Sequence, residues 1–349
     1  MIHIDIDIHK SSSTFCALKD DGGIVGIVKR AKIATSQEAF SELAKAWLGE
    51  GIRIAIETGN LTWWAVSVFR SAGINPLVVN ARQFKLISQS RKKNDRHDAL
   101  ALADGLRCGI LDHCQVVTPS ERAQRSRSLI RTRPTVLKQR QVSLHAIQAC
   151  CVQLAGRSRN GNLAKEAARE RVLSQATIPI WMKPLLLTHH QVWLELSRRV
   201  EELDHMVQAE LGDWPEAEIL DEIPGFGPLV SLVVLCHLDD PHRLSRSAQV
   251  ASYGGLVPSS RDSGGVQQRG RITREGSSTL RHLMVQASWA ALRSRRLTPA
   301  LRKWAKILIV KKGWKVAVVA LARRLLILAH RLWKNGEVYN PAYGAQSRQ

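Results

Sequence analysis

Isoleucine alternates with polar residues over the first nine positions. Ile2, Ile4, Ile6 and Ile8 fall on one side, and His3, Asp5, Asp7 and His9 on the other. A period of two predicts a strand with one buried face. Asp20-Asp21-Gly22-Gly23 is a hairpin signal between two further strand-like runs. Thr35 with Glu38 has the spacing of a capping box and opens a helix that runs to about residue 49. Residues 52–56 make a short apolar strand that ends at Glu57. Helical spacing follows over 61–72, a strand over 76–79, and helices near 82–90 and from Asp95 to about Arg107. The periodicity supports an α/β unit.

From about 119 to 212 the pattern becomes helical and polar. Leu129, Leu137, Val142, Ile147 and Leu154 are spread along a basic stretch that Pro134 is expected to break. Residues 157–162 read as a polar loop, and apolar positions over 190–211 repeat at helical spacing. A long helical hairpin results, serving either as a solvated spacer or as a dimerisation or RNA-contacting arm. Around 219–236 a helix ends at Ile223, residues 224–227 turn tightly, and a very apolar helix follows. This is the outline of a helix-hairpin-helix, whose turn amides can hold a DNA phosphate. A turn used only for packing fits equally well, because it contains no Lys or Arg. Residues 277–294 and 300–333 read as two basic amphipathic helices. The division implied is 1–115, 116–215 and 216–349.

Charge changes the picture. The 349 residues carry 51 Lys and Arg against 30 Asp and Glu, a net charge of +21. Such an excess repels itself unless a polyanion offsets it, so nucleic acid is the expected partner. The excess is uneven. Residues 1–115 hold 15 basic and 12 acidic residues, whereas 256–349 hold 19 and 3. The first part is nearly neutral and the last faces a polyanion. No apolar run approaches the ~20 residues that span a bilayer, so no membrane association is expected. The six cysteines form no CxxC pair and are expected to be reduced thiols of a cytoplasmic protein.

Four carboxylates occupy telling positions: Asp7 on the polar side of the first strand, Glu57 at the end of a later strand, and Asp95 and Asp98 in one helical first turn. Strand ends and helix starts meet at one edge of an α/β sheet. Clustered carboxylates repel unless cations hold them, and hard oxygen donors suit Mg²⁺ or Mn²⁺. Two such ions would clamp the attacking and leaving oxygens of a phosphodiester. Each acid also has a bland explanation, such as the helix dipole for Asp95. Asp5 shares the strand face with Asp7; one of the two is open to a merely solvated role, and Asp5→Asn is expected to be mild.

The ordered motifs resemble a known family. Ile6-Asp7-Ile8-His9-Lys10, Ile56-Glu57-Thr58-Gly59 and Asn94-Asp95-Arg96-His97-Asp98-Ala99 match the DEDD pattern of insertion-sequence transposases related to the pilin-gene inverting recombinase. Ile223-Pro224-Gly225-Phe226-Gly227, Tyr253-Gly254-Gly255-Leu256-Val257-Pro258, Ser263-Gly264, Arg269-Gly270 and Ile272-Thr273-Arg274-Glu275-Gly276 continue the resemblance in order. It departs in two places. A small residue usual between the Glu and the Gly is missing after Glu57, and Arg274 stands where Lys is usual.

The resemblance implies a RuvC-like, ribonuclease H-type N-terminal domain, a helical arm, and a mainly α C-terminal transposase domain that supplies a serine, here Ser263. It implies DNA recombination through a covalent phosphoserine and a structured noncoding guide RNA; because recombination joins several strand ends, a nucleoid-associated dimer or tetramer is expected, with the helical arm as its contact. On composition alone Ser259 and Ser260 compete with Ser263. Arg261, Arg269, Arg271, Arg274 and Arg281 surround that loop, and guanidinium forks match phosphate geometry. Trp63 and Trp64 are expected in the core, and His97 to be solvated or to support the ligands. Two other readings compete: a metal-dependent junction nuclease that leaves Ser263 idle, and a non-enzymatic nucleic-acid-binding protein.

Overall fold

A computed structural model describes residues 1–47, 49–80, 95–155, 163–175, 178–263 and 266–341, apart from the side chains of 95–98, 154–155 and 260–269. The helix expected near 82–90 and the loop expected at 157–162 lie outside the described residues. The chain divides into two compact units, residues 1–118 and 119–349.

In the first unit, β1 (Ile2–Ile8), β2 (Ser12–Asp21) and β3 (Ile24–Ala34) form an antiparallel meander. β4 (Ile52–Glu57) adds parallel to β1, and β5 (Leu77–Val79) adds parallel to β4. The order is β3-β2-β1-β4-β5. The expected hairpin is present, with the Gly23 amide donating to Asp20 Oδ1 at 3.0 Å. α1 (Gln37–Lys45) and α2 (Thr62–Ser71) bury Phe40, Leu43, Val66 and Phe69 against Ile2, Ile4 and Ile6. The cap of α1 is Ser36 rather than Thr35: Ser36 Oγ accepts from the Ala39 amide. Thr35 is engaged elsewhere, donating from its hydroxyl to the His9 carbonyl at 2.8 Å.

The opposite face of the sheet is also covered, contrary to the one-sided strand that alternation predicts. α3 (Asp95–Arg107) lies across it, with Ala99 and Ala103 against Cys16 and Leu18, and Leu102 and Leu106 against Ala55 and Val79. Alanine at two positions one turn apart lets the helix approach the sheet closely. His3 and Asp5 are buried beneath it.

The second unit opens with α4 (Glu121–Ala155), followed by α5 (Glu166–Leu173) and α6 (Lys183–Leu211). Pro134 does not break α4; it lies inside a helix of 35 residues. Proline removes one i→i−4 hydrogen bond, but side-chain contacts to α6 grip α4 on both sides of it. Before it, Arg125 and Ser126 bond Glu210 and Arg133 pairs with Asp204; after it, Arg140 lies 5.5 Å from the Trp193 ring centroid. Tertiary contacts thus override the local breaker. The far end of α4 builds a small core of its own, where Leu144, Ile147 and Cys151 meet Val172, Met182 and Leu186. Arg169 is fully buried there, stacked 3.4 Å from the Trp193 ring centroid and donating to the Leu163 and Ala164 carbonyls.

The larger core of this unit gathers α7 (Ala217–Asp221), the apolar α8 (Pro228–Leu238), α9 (Ser247–Tyr253), α10 (Ser278–Arg293), α11 (Pro299–Lys312) and α12 (Trp314–Asn335). The single helix expected over 300–333 is two, divided at Gly313, whose φ of 83° lies outside the helical region. The turn before α8 is a packing device. A Cβ on Gly225 would stand 2.1 Å from the Ala287 carbonyl oxygen of α10, so the backbone of the turn lies directly on that helix.

Near the end of α8, His237 is buried with Nε2 3.2 Å from Ser277 Oγ, the hydroxyl that caps α10. Burial, reinforced by Arg127 and Arg131, pushes its imidazole down to about 3. The unfolded chain therefore binds more protons than the folded one between about pH 6.5 and pH 3, and stability falls as pH drops through that window. His237→Gln should recover about 2 kcal/mol of the loss between pH 7 and pH 5, at ~1.4 kcal/mol per pKa unit. Denaturant midpoints of both proteins at the two pH values measure it; equal losses would show that His237 does not drive the dependence.

Candidate active site

Asp7 stands near the C-terminal end of β1, and Glu57 ends β4. The parallel register sets Asp5 beside Ala55 and Ile6 beside Ile56. Side chains alternate across a sheet, so Asp5, Asp7 and Glu57 share the face that α3 covers. α3 runs antiparallel to β1. At its C-terminal end Arg107 pairs with Asp20 at 3.1 Å, and the Asp20 amide reaches the Met1 carbonyl. The helix spans about 18 Å and β1 about 20 Å at ordinary rises per residue. Its first turn, with Asp95 and Asp98, is thereby brought to the sheet edge where Asp7 and Glu57 stand. His97 sits in the same turn. The side chains of all three lie outside the described residues.

Asp5 is the acid that sequence reasoning misjudged. It is 0% exposed, and neither carboxyl oxygen has a hydrogen-bond partner. Burial pushes its carboxyl well above the usual range, and Glu57 and then Asp7 push it further. Asp7, 27% exposed, has an oxygen 3.3 Å from His9 Nε2. Three carboxyl groups thus share one face, and one of them is fully desolvated. Among the described residues no group of three His, Cys, Asp or Glu is close enough to hold a metal.

The segment after Glu57 is closed by Thr62. Its hydroxyl donates to the Glu57 carbonyl at 2.9 Å and accepts from the Gly59 amide at 2.6 Å. This loop is where the resemblance lacks one residue. Thr62, at the start of α2, was legible only as a helix-start residue. Trp63 and Trp64 pack on the core as expected, Trp64 with its ring 5.3 Å from Phe40.

Ser263 lies on an element that the sequence pattern did not reveal, a hairpin of β6 (Pro258–Ser263) and β7 (Val266–Ile272). Ser263 ends β6 and pairs with Val266. At the hairpin's base the Thr273 amide donates to the Val257 carbonyl at 2.9 Å. Gly255 (φ 62°) lies against the strand exit so tightly that a Cβ would meet the Glu275 carbonyl oxygen at 2.1 Å. The Tyr253-Gly254-Gly255 and Arg274-Glu275-Gly276 motifs thus clamp the base of the hairpin whose far end is Ser263. Ser259 donates to the Arg271 carbonyl at 2.9 Å, so its hydroxyl is engaged.

The five arginines divide. Arg271 and Arg274 are exposed. Arg281 is half-buried and donates to the Gly254 carbonyl at 3.4 Å, which makes it part of the clamp. Burial, and then Arg274, lower its pKa. Arg261 and Arg269 pair across the hairpin with Gln268 and Ser260, and their side chains lie outside the described residues.

Comparison with known proteins gives this geometry its context. A family model described as "Transposase" matches residues 4–154, which include the whole acidic face. A second, described as "Transposase IS116/IS110/IS902 family", matches residues 217–303, which include the clamp and the hairpin. A Sinorhizobium fredii protein, y4pF/y4sB, is 27% identical over 256 residues, 73% of this chain and 66% of that one. The transposase for insertion sequence element IS1111A of Coxiella burnetii is 26% identical, over 96% of this chain and 90% of its own length. The pilin gene-inverting protein of Moraxella bovis is 24% identical, over 97% of each chain. The chain is thus an enzyme of the DNA recombinase and transposase class. It belongs to the IS110/IS116/IS902 transposase family.

Gly255→Ala tests the clamp. The added methyl meets backbone, and the residue must also hold a positive φ, so the loss should exceed ~2 kcal/mol. Thermal unfolding measures the loss, and limited proteolysis across 258–272 should show the hairpin cut first. A melting temperature unchanged from wild type would show that the clamp is not needed.

Proposed function

We propose that the chain cuts and rejoins DNA strands, with Asp7, Glu57, Asp95 and Asp98 as the acidic group of its first unit and Ser263 of its second unit forming a phosphoserine. The observation that carries the proposal is the face shared by Asp5, Asp7 and Glu57 under the first turn of α3. The donors are all carboxylate oxygens, and Asp7 and Glu57 on one face repel each other unless a cation offsets them. That chemistry fits Mg²⁺ or Mn²⁺ held by Asp7, Glu57, Asp95 and Asp98. When bound, such an ion would supply Lewis-acid polarisation of a phosphoryl oxygen and ease loss of a proton from a hydroxyl.

The role of the chain's own residues follows. The Ser263 hydroxyl is a weak nucleophile and has to lose its proton to attack. As its oxygen bonds phosphorus, one P–O bond of the DNA strand breaks and the departing oxygen takes up a proton. The phosphate ester is conserved, so reversal with a different strand end reseals DNA without ATP. Placing Ser263 at the end of a clamped hairpin fixes its backbone, which is what orientation-dependent attack demands. Arg261, Arg269, Arg271 and Arg274 supply phosphate contacts near the serine. A structured noncoding RNA that pairs with donor and target DNA, and a dimer or tetramer joined through the α4–α6 arm, complete the reading. The RNA follows from the family resemblance, and the oligomer from the need to hold several strand ends at once.

Ser263→Ala tests the nucleophile. It should bind DNA as wild type does but form no denaturation-resistant protein–DNA adduct and exchange no strands. Adduct formation in Ser263→Ala with loss in Ser260→Ala would move the nucleophile. Metal-dependent cutting without any adduct in wild type would favour the junction nuclease.

Asp7→Asn, Glu57→Gln, Asp95→Asn and Asp98→Asn should each bring cleavage below detection while DNA affinity changes by less than about threefold, since phosphate attraction does not fall. Asp21→Asn, on the exposed hairpin, is the control. Wild-type cleavage in Asp7→Asn would remove the acidic site from the reaction.

A further inference from the structure

Two tryptophans outside the proposed reaction site stack on one another at the surface of the second unit. Trp289 on α10 and Trp314 at the start of α12 lie with ring centroids 5.5 Å apart and planes 14° from parallel. Core tryptophans are usually covered, as Trp214 and Trp333 are here. Trp289 is instead 39% exposed, and Trp314 is 54% exposed although one of its faces is occupied by Trp289.

The surroundings are cationic. From 276 to 336 the sequence holds fourteen Lys and Arg and no Asp or Glu. Arg293 lies one helical turn beyond Trp289. Lys311 and Lys312 end α11, and Lys315 follows Trp314. All four are exposed, and none forms an ion pair with a described residue. The helix dipole favours lysine at the end of α11, but it disfavours Lys315 in the first turn of α12. That first turn adds a further observation. α12 is 22 residues long, and no side chain caps its N-terminus. The amides of Trp314, Lys315 and Val316 therefore have no intrahelical acceptor and suit an anion.

We infer that the Trp289–Trp314 stack is a platform for an unpaired DNA strand, a base stacking on Trp314 and its phosphates meeting Lys311, Lys312, Lys315 and the N-terminus of α12. A duplex presents its bases only at its ends, whereas an unpaired strand offers a π-face at every nucleotide. Aromatic faces edged by cations are the general means of holding such strands. The commitment to DNA rests on the transposase class of the chain, and any exchange of strands passes through unpaired nucleotides. It does not depend on the phosphoserine or the metal. The main rival occupant is a second copy of the chain, since Val310 near the end of α11 is 87% exposed.

The test is binding of the full chain to a fluorescent oligo(dT), to oligo(U) and to a duplex of equal length, by anisotropy over a range of salt. Trp314→Ala should weaken oligo(dT) binding about tenfold, as loss of one stacked base does, with its salt slope unchanged. Trp314→Phe should stay within about threefold of wild type, and duplex affinity should barely move. Lys311→Ala with Lys312→Ala should lower the salt slope by about 0.7 for each phosphate that is no longer neutralised. If Trp314→Ala melts early, Trp314→Leu takes its place, keeping apolar contact with Trp289 and removing the π-face. Undiminished oligo(dT) binding by a folded variant would overturn the inference, as would equal losses on duplex and single strand. A loss on oligo(U) alone would make this an RNA site. A change in sedimentation with no change in oligo(dT) affinity would give the patch to a second copy.

Discussion

Like-charge repulsion on one face of the N-terminal sheet is the constraint on which the first unit is built. Asp5 is fully buried, and Asp7 and Glu57 lie on the same face of neighbouring strands. Burying a carboxylate without hydrogen bonds is among the more costly things a fold can do. A structure selected for stability alone would place an apolar residue there, as Ala55 shows at the adjacent position of β4. The helix that covers the face is shaped to it. Ala99 and Ala103 let α3 lie close, and its first turn delivers two more acids to the same edge. Under the proposed chemistry, repulsion between Asp7 and Glu57 is what a bound cation would relieve.

The second unit meets a different demand. Under the proposed chemistry, a reacting hydroxyl has to be held in place while its surroundings remain open to DNA. The hairpin that ends in Ser263 is held at its base, where Gly255 passes against the Glu275 carbonyl, the Thr273 amide bonds Val257, and Arg281 reaches Gly254. The glycines of the Tyr253–Gly255 and Gly276 motifs are thus structural, allowing two backbone segments to cross without side chains between them. The turn after Ile223 follows the same logic, with Gly225 seated on α10. A motif that looks like a phosphate cradle in sequence is, in three dimensions, a place where two helices touch.

Much of the first unit was legible because alternation and helical spacing report directly on burial. β1, β4, α2 and α3 fall where the pattern puts them. The second face of β1 was not legible: polar residues at His3, Asp5 and Asp7 look solvent-facing, and their burial depends on α3, which arrives ninety residues later. Pro134 and Gly313 illustrate opposite failures of local rules. Long-range pairs from α4 to Glu210 and Asp204 carry a helix through a proline, whereas a glycine divides a stretch whose periodicity is unbroken. The hairpin of Ser263 was missed because Pro258–Ile272 is polar on both sides, and a strand without an apolar face leaves no period to detect. The four acids were read from their places at strand ends and a helix start, and Ser263 from the ordered motifs alone. Thr62 lay between those motifs and went unnoticed, whereas Asp5 was noted beside Asp7 but its burial was not foreseen.

The division of charge between the units follows from the chemistry. An edge lined with carboxylates repels the phosphodiester on which it is proposed to act, so binding energy cannot come from the acidic group itself. It has to be supplied by surfaces elsewhere in the chain, strong enough to carry a polyanion onto an anionic site. The near-neutral first 115 residues beside the strongly basic last 94 meet that requirement. Because a dense positive field binds any duplex, charge alone gives affinity without discrimination. Discrimination requires contacts that duplex DNA cannot make equally well, and exposed aromatic faces within an acid-free stretch provide contacts of that kind. On this view the acidic site, the clamped serine and the basic aromatic surface are three separate answers to one problem, that of moving a phosphodiester between strands without losing hold of any of them.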